Sequence, residues 1–206
     1  YLQCLMYADD IVLLSESKSG LQHCLNNLYM YCKTWKLDIN MDKTKIIVFN
    51  KTGRLIQEYF HLGQSAIECV KSYKYLGLLF TNSGSFTKAT EELKIKAMKA
   101  CFKLKQSICN DNLSPATAIS LFNSLIEPIL TYGCEIWGNN LNANSADGFF
   151  KKCDETHLDK VLLSFGRFCL GVHKHATNAA VRGELGLMPI QYKVFKLILK
   201  FKDRKS

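Results

Sequence analysis

Asp9 and Asp10 are adjacent carboxylates in the run Tyr7-Ala8-Asp9-Asp10. Short apolar stretches flank them, Leu2-Gln3-Cys4-Leu5-Met6 before and Ile11-Val12-Leu13-Leu14 after. That pattern predicts a tight β-hairpin with acids at its tip. Like charges so close repel unless a cation binds them. Mg²⁺ suits the role, being a hard cation that takes carboxylate oxygens and substrate phosphates. Two such ions clamp the attacking and leaving oxygens in nucleotidyl transfer. A solvated Asp-Asp turn would carry the same four residues, so the choice rests on the rest of the chain.

Around this motif the spacing predicts mixed secondary structure. Ser17-Lys18-Ser19-Gly20 signals a helix start, and Leu21, Cys24, Leu25, Leu28, Cys32 and Trp35 repeat at helical intervals, one face turned to a core. Leu37-Asp38-Ile39-Asn40 breaks that helix, and Ile46-Ile47-Val48-Phe49 reads as a β-branched strand. Tyr59-Phe60-His61-Leu62 and Ala66 to Val70 flank Gly63-Gln64 as a hairpin, and Tyr73 to Phe80 carries a further strand signal. Asn82-Ser83-Gly84-Ser85 marks a boundary, beyond which helical periodicity dominates. Leu93, Ala97, Ala100, Cys101, Leu104 and Ile108 form one stripe. Ser114-Pro115 opens another helix, which Pro128 should kink or end. Leu158, Val161, Leu162, Phe165 and Cys169 mark a third, ended by Gly171. A short helix is expected within Ala176 to Leu185, and Pro189 opens a last one through Phe195, Ile198 and Phe201. Trp137 is expected in the core. The fold class is therefore α+β.

The chain has 206 residues, 48% of them hydrophobic and 22% charged, which suffices for one good core or two small ones. Mean hydropathy is -0.04, and no apolar run reaches bilayer length. Nine scattered cysteines with no Cys-x-x-Cys pair read as reduced, mostly buried thiols of an intracellular protein. The net charge of +9 is unevenly spread. Residues 1–50 are balanced, whereas Lys88, Lys94, Lys96, Lys99, Lys103 and Lys105 face only Glu91 and Glu92, and the tail from Lys193 to Lys205 is basic. Such a gradient suits a phosphate backbone along the second half, although lysine also simply solvates helices.

The order of the motifs narrows the choice. Tyr7-Ala8-Asp9-Asp10 is followed by an amphipathic helix, then Leu37-Asp38-Ile39-Asn40-Met41-Asp42-Lys43-Thr44-Lys45, then Tyr73-Lys74-Tyr75-Leu76-Gly77. Ile129-Leu130-Thr131-Tyr132-Gly133-Cys134-Glu135-Ile136-Trp137-Gly138 and Leu170-Gly171-Val172 through Gly183-Glu184-Leu185-Gly186-Leu187-Met188-Pro189 come later. This series resembles the reverse transcriptases of non-LTR (LINE-type) retrotransposons, from their third palm motif onward. The resemblance implies a partial polymerase palm (β-hairpin, helix, short antiparallel strands) over residues 1–81, carrying a primer-grip-like hairpin. A thumb-like helical region over 82–138 and a helical extension over 139–206 would follow.

It also implies roles. Asp9 would be the principal ligand of Mg²⁺ or Mn²⁺ and Asp10 a supporting one, with Tyr7 near the primer terminus. Lys43, or failing it Lys45, would donate a proton to the leaving pyrophosphate. Tyr73, Lys74, Tyr75 and Gly77 would grip the primer, with Lys45 a further primer or template contact, and Leu76 with one of the tyrosines would be core. Lys96, Lys99 and Lys103 would track an RNA–DNA hybrid by its backbone. Partners would be an RNA template, a DNA primer and a dNTP, in the nucleus or a cytoplasmic ribonucleoprotein.

The chain starts at Tyr1, inside an expected strand, and lacks the earlier palm motif that supplies a partner Asp in that family. A fragment that does not polymerise alone is therefore expected. A decayed transposon-derived nucleic-acid-binding module without catalysis is the other reading. Cys153-x₃-His157 and Cys169-x₃-His173 place potential zinc ligands at helical spacing, but not in a recognised finger register.

Overall fold

Turn residues and short β-branched runs dominate up to Ser85, and long amphipathic repeats follow. The computed structural model describes residues 4–111, 113–138 and 156–204. It is α+β and divides into two units, Tyr1–Ser85 and Phe86–Ser206.

In the first unit, β1 (Cys4–Tyr7) pairs antiparallel with β2 (Asp10–Leu13). Ser17 then caps α1 (Lys18–Trp35), its hydroxyl accepting from the Gly20 amide at 3.1 Å. This satisfies one of the orphan N–H groups of the first turn. Helix α1 buries Leu25 and Cys32 and ends where Lys36 turns left-handed at φ 54°. Trp35 departs from the expected stripe and is 65% exposed. The buried line runs through Leu25 and Cys32, and helical rotation carries Trp35 off its edge, against the Tyr31 ring.

Three short strands lie under α1: β3 (Lys45–Ile46), β4 (Phe60–Leu62) and β5 (Ser65–Cys69), in the order β3-β5-β4. Leu25, Ile46, Phe60, Leu62 and Ile67 form their common core. The β4–β5 hairpin turns at Gly63-Gln64 as expected, but β3 joins β5 in parallel, unlike the antiparallel set foreseen. The loop 47–59 carries the chain round, so that the second strand of the hairpin comes to lie beside β3. Strand β3 is also shorter than the Ile46–Phe49 run predicted. The Asn50 side-chain amide donates to the carbonyls of Val48 (3.2 Å) and Arg54 (2.9 Å), closing a turn where the ladder would continue.

The edge of β4 is covered by a side chain. Gln22 of α1 donates to the His61 carbonyl at 2.8 Å and accepts from the His61 amide at 3.1 Å, taking the place of a neighbouring strand. A last hairpin, β6 (Ser72–Tyr75) with β7 (Leu78–Thr81), closes the unit.

Among its described residues, the regular elements of the second unit are all helices. Helix α2 (Thr87–Asp111) buries Ala89, Leu93, Ala97, Cys101, Leu104 and Ile108, nearly the stripe read from sequence. Ser114 caps α3 (Pro115–Leu121) by accepting from the Thr117 amide at 3.2 Å. The helix then widens into a π-helical turn (Phe122–Ile126) before α4 (Glu127–Leu130). Pro128 lacks an N–H to continue the regular ladder, and the wider turn just before it absorbs the mismatch. Helix α5 (Cys134–Trp137) seats Trp137 in the core, its indole N–H donating to the Tyr132 carbonyl at 2.9 Å.

Helices α6 (His157–Leu170), α7 (Asn178–Leu185) and α8 (Ile190–Asp203) complete the unit. A Cβ on Gly166 would sit 2.8 Å from Val181 Cγ1, so glycine there lets α6 and α7 approach. Asp159 of α6 is fully buried and ties all three helices. Its carboxylate accepts from Arg182 Nη2 at 2.9 Å and from the Ile190 amide at 3.1 Å, and meets the Thr156 hydroxyl at 3.1 Å. Pro189 gives α8 no side-chain cap, and Asp159 supplies one from another helix. Burial pushes the Asp159 carboxyl above its ordinary range, while Arg182 and the Ile190 amide hold the ionised form.

Candidate active-site hairpin and basic helix face

The β1–β2 register pairs Tyr7 with Asp10, leaving Ala8-Asp9 as a two-residue loop. Ala8 takes a positive φ of 48°, as the first position of such a loop requires. Asp9 is thereby held at the tip of the turn. Tyr7 and Asp10 are directly opposed, so their side chains leave the same face of the ribbon. Tyr7 is 66% exposed, and Asp9 and Asp10 are both exposed. The structure therefore brings Tyr7, Asp9 and Asp10 together at one end of a hairpin. Their oxygens match what a hard divalent cation takes. Among the described residues, no group of three or more His, Cys, Asp or Glu side chains is placed to hold a metal.

A second constellation forms at the turn after α1. The Asn40 side chain accepts from the Lys43 amide at 3.1 Å, and the Asn40 carbonyl accepts from the Thr44 amide at 3.0 Å. Tyr73 of β6 donates its hydroxyl to the Lys43 carbonyl at 2.8 Å. Lys43 and Tyr73, far apart in sequence, thus meet through the backbone, and the Lys43 side chain stays exposed. Lys45 is engaged otherwise, its ammonium 2.8 Å from the Glu68 carboxylate across the parallel pair.

The β6–β7 hairpin turns at Leu76-Gly77, with φ values of 46° and 82°. Two successive left-handed residues are what a twisted two-residue hairpin demands, and Gly77 meets the demand without steric cost. Leu76 was expected in the core and is instead 39% exposed, because it occupies the first loop position. Tyr73 and Tyr75 are half-buried on one face, and Lys74 leaves the other.

On α2 the lysines divide. Lys96, Lys99 and Lys103 are exposed, whereas Lys94 pairs with Glu91 at 2.9 Å and Lys105 lies 5.0 Å over the Phe168 ring. The three exposed lysines occupy one side of the helix, next to exposed Ile95, Met98 and Phe102. An amphipathic solvent face of this kind offers both charge and apolar surface.

The potential zinc set is not assembled among the described residues, since Cys153 lies outside them. His157 sits 3.6 Å from Glu91, and His173 stacks on His175 at 4.9 Å between ring centroids. Burial pushes the Cys169 thiol up to about 11.

Residues 1–80 match the family model described as reverse transcriptase (RNA-dependent DNA polymerase). That span contains the Asp hairpin, the Lys43 turn and almost all of the last hairpin. Over residues 1–80 the chain is thus similar to reverse transcriptases.

Similar proteins extend the likeness beyond residue 80. A transposon-derived protein of Caenorhabditis elegans is 28% identical over 138 residues, covering 66% of this chain and 49% of its own length. A Drosophila melanogaster protein named "Probable RNA-directed DNA polymerase from transposon BS" is 30% identical over 148 residues, covering 67% of this chain and 16% of its own length. Another from the same fly, named for the X-element, is 19% identical over 205 residues, covering 96% of this chain and 21% of its own. The chain thus spans about half the length of the worm relative and about a fifth or less of these fly relatives. No solved structure matches it. Both of these fly relatives are named as probable RNA-directed DNA polymerases of transposons, in agreement with the retrotransposon resemblance of the motifs.

Sequence reasoning missed Gln22 and Asp159. Gln22 sits on the polar face of an amphipathic helix, where nothing in the spacing distinguishes a strand-edge clamp from solvation. Asp159, directly after an apolar leucine inside a helical stripe, carried a usable signal: an acid at an otherwise buried position needs a cationic partner.

Proposed function

We propose that this chain is a segment of an RNA-directed DNA polymerase of a non-LTR retrotransposon, carrying the acidic metal-binding hairpin and primer-contacting elements. The observation that carries the reading is the two-residue Ala8-Asp9 loop. It holds Asp9 at an exposed tip with Asp10 and Tyr7 beside it, inside the span matched by the reverse transcriptase family.

Asp9 is the principal ligand in this reading and Asp10 the supporting one, for Mg²⁺ or Mn²⁺. Bound there, the cation would supply charge neutralisation at the reacting phosphates and ease loss of the primer hydroxyl proton. In the reaction the primer 3′-oxygen forms a bond to the dNTP α-phosphorus. The α–β phosphoanhydride breaks, and pyrophosphate departs. Lys43 is the candidate proton donor to that leaving group, because Lys45 is committed to Glu68. Tyr7 orients the primer end. Tyr73 acts mainly by fixing the Lys43 turn, while Lys74 and Tyr75 contact the primer strand and Gly77 shapes the hairpin. Lys96, Lys99 and Lys103 hold the template–primer hybrid by its phosphates, a contact that carries no sequence preference. Template RNA, DNA primer and dNTP are the partners, consistent with a ribonucleoprotein in nucleus or cytoplasm. Among the described residues, no helix is long and apolar enough to cross a membrane.

Two carboxylates from one hairpin fall short of a two-metal cage, so the chain by itself binds hybrid without extending it. The test is paired. Binding to an oligo(rA)/oligo(dT) hybrid is measured by fluorescence anisotropy, and dTTP incorporation with Mg²⁺ is measured on the same substrate. The reading expects salt-sensitive binding, weakened in Lys96→Ala/Lys99→Ala/Lys103→Ala, and no incorporation. Incorporation by the chain alone would overturn the incomplete-site claim. Absence of hybrid binding would overturn the assignment of the basic face.

A further inference from the structure

Helix α8 has two faces that do different work. One, built from Ile190, Gln191, Val194 and Ile198, is buried in the second unit. The other carries Tyr192, Phe195 and Leu199, which are 45%, 59% and 47% exposed, interleaved with exposed Lys196 and Lys200. Helical spacing places Tyr192, Lys196 and Lys200 one turn apart along a single edge.

That edge borders a shallow open groove of about 260 Å³, lined by Met188, Tyr192, Leu197, Lys196, Lys200 and the Lys193–Glu127 pair. Glu127 is the acid of this lining, and Lys193 neutralises it while also donating to Asn123 at 3.0 Å. What faces an incoming ligand is therefore an apolar floor, one aromatic ring and two further ammonium groups. Apolar surface alone would suit many occupants. The interleaved lysines, with the acid already paired, select a ligand that offers flat apolar faces and regularly spaced anions.

We propose that this groove binds single-stranded nucleic acid, with Tyr192 stacking on a base and Lys196 and Lys200 meeting successive phosphates. Stacking on an aromatic with lysines tracking the backbone is how single strands are held without sequence readout. A duplex keeps its bases stacked on one another and cannot offer one to Tyr192. The site therefore discriminates against the hybrid assigned to the α2 lysines. The inference rests on the polymerase reading above, and adds a second surface with a different strand requirement.

The experiment measures affinities of the whole chain for oligo(U), oligo(dT) and the oligo(rA)/oligo(dT) hybrid, each over a range of salt. Tyr192→Ala should weaken oligo(U) or oligo(dT) binding roughly tenfold while hybrid affinity holds. Tyr192→Trp should restore it, since stacking needs a ring and not the hydroxyl. Lys196→Ala/Lys200→Ala should flatten the salt dependence for the single strand by about 1.4 in log–log slope. Thermal unfolding of each variant checks that the fold is retained, as expected for an exposed edge. Unchanged single-strand affinity and slope in all these variants, with hybrid binding still lost on removing the α2 lysines, would overturn this inference and leave the polymerase reading standing. Displacement by an acidic amphipathic peptide that oligo(U) cannot reverse would mark a protein-docking groove and also overturn it. Failure of the parent chain to bind any of the three nucleic acids would overturn both.

Discussion

The Asp hairpin and the helical core around Asp159 are built on opposite plans. Strand β1 is exposed along its whole length, and β2 only becomes half-buried toward Leu13. Helix α6 is the reverse, burying Leu158, Asp159, Val161, Leu162, Leu163, Phe165 and Gly166. The residues proposed to carry chemistry therefore sit on a lightly packed ribbon, and the best-packed residues carry no proposed chemistry. An acidic tip must stay accessible to a cation and to phosphates, and accessibility limits the apolar area it can bury. The helical unit holds a buried carboxylate and its half-buried guanidinium partner in place through its core. Tolerance for change should be correspondingly low at Asp159 in this unit and high at Asp9 on the ribbon.

The two tryptophans make this contrast measurable, because Trp35 lies in the first unit and Trp137 in the second. In a Trp35→Phe background, emission reports the second unit alone. The largest effect is expected for Asp159→Ala. It removes the buried carboxylate that pairs with Arg182 and uncaps α8, costing about 3–5 kcal/mol by urea unfolding followed at Trp137. A loss under about 1 kcal/mol would mean that the pair is hydrated and the contrast overstated. Next comes Leu25→Ala, which opens the small core beneath α1 and should cost about 2–4 kcal/mol. That loss should be seen by circular dichroism and leave the Trp137 transition in place. Coincident shifts of both transitions would show one cooperative body instead of two separable responses.

Gln22→Ala removes both bonds to the His61 backbone and should cost about 1–2 kcal/mol, with faster hydrogen exchange at the His61 amide. A gentler perturbation is alkaline pH. Burial pushes the Cys101 thiol up to about 11 and Cys134 up to about 12. The folded state keeps these protons after an unfolded chain, with thiols near 9, begins to lose them. The stability these two thiols contribute to the helical unit should thus be constant below about 9 and decline as pH rises from there through about 12. Iodoacetamide should label exposed Cys4 and Cys109 before either buried thiol. The smallest effect on stability, within about 0.5 kcal/mol, is expected for Asp9→Asn at the hairpin tip.

Local signals were strong enough to place most elements. Ser17 and Ser114 announce their helices because a hydroxyl before an apolar repeat satisfies the first-turn amides, and both do so in the structure. Gly63-Gln64 turns where expected for an equally local reason. What was not legible depends on contacts between distant residues. The parallel β3–β5 pairing, the shortened β3 and the Asn50 turn follow from where the loop 47–59 runs. Trp35 and Leu76 were read as apolar and therefore inside, yet one lies off the buried arc and the other fills a loop position. At the candidate site, the order of motifs singled out Asp9, Asp10 and Lys43 as candidates. It could not foresee that Tyr73 reaches the Lys43 carbonyl or that Glu68 takes Lys45.

The central claim is that Asp9, held at the Ala8-Asp9 turn, is a divalent-cation ligand. Amide NMR of the whole chain during Mn²⁺ titration tests it most directly. The account predicts paramagnetic broadening centred on Ala8 to Ile11, abolished by Asp9→Asn and only reduced by Asp10→Asn. Broadening that survives Asp9→Asn, or that centres elsewhere, such as on His173 and His175, would contradict it.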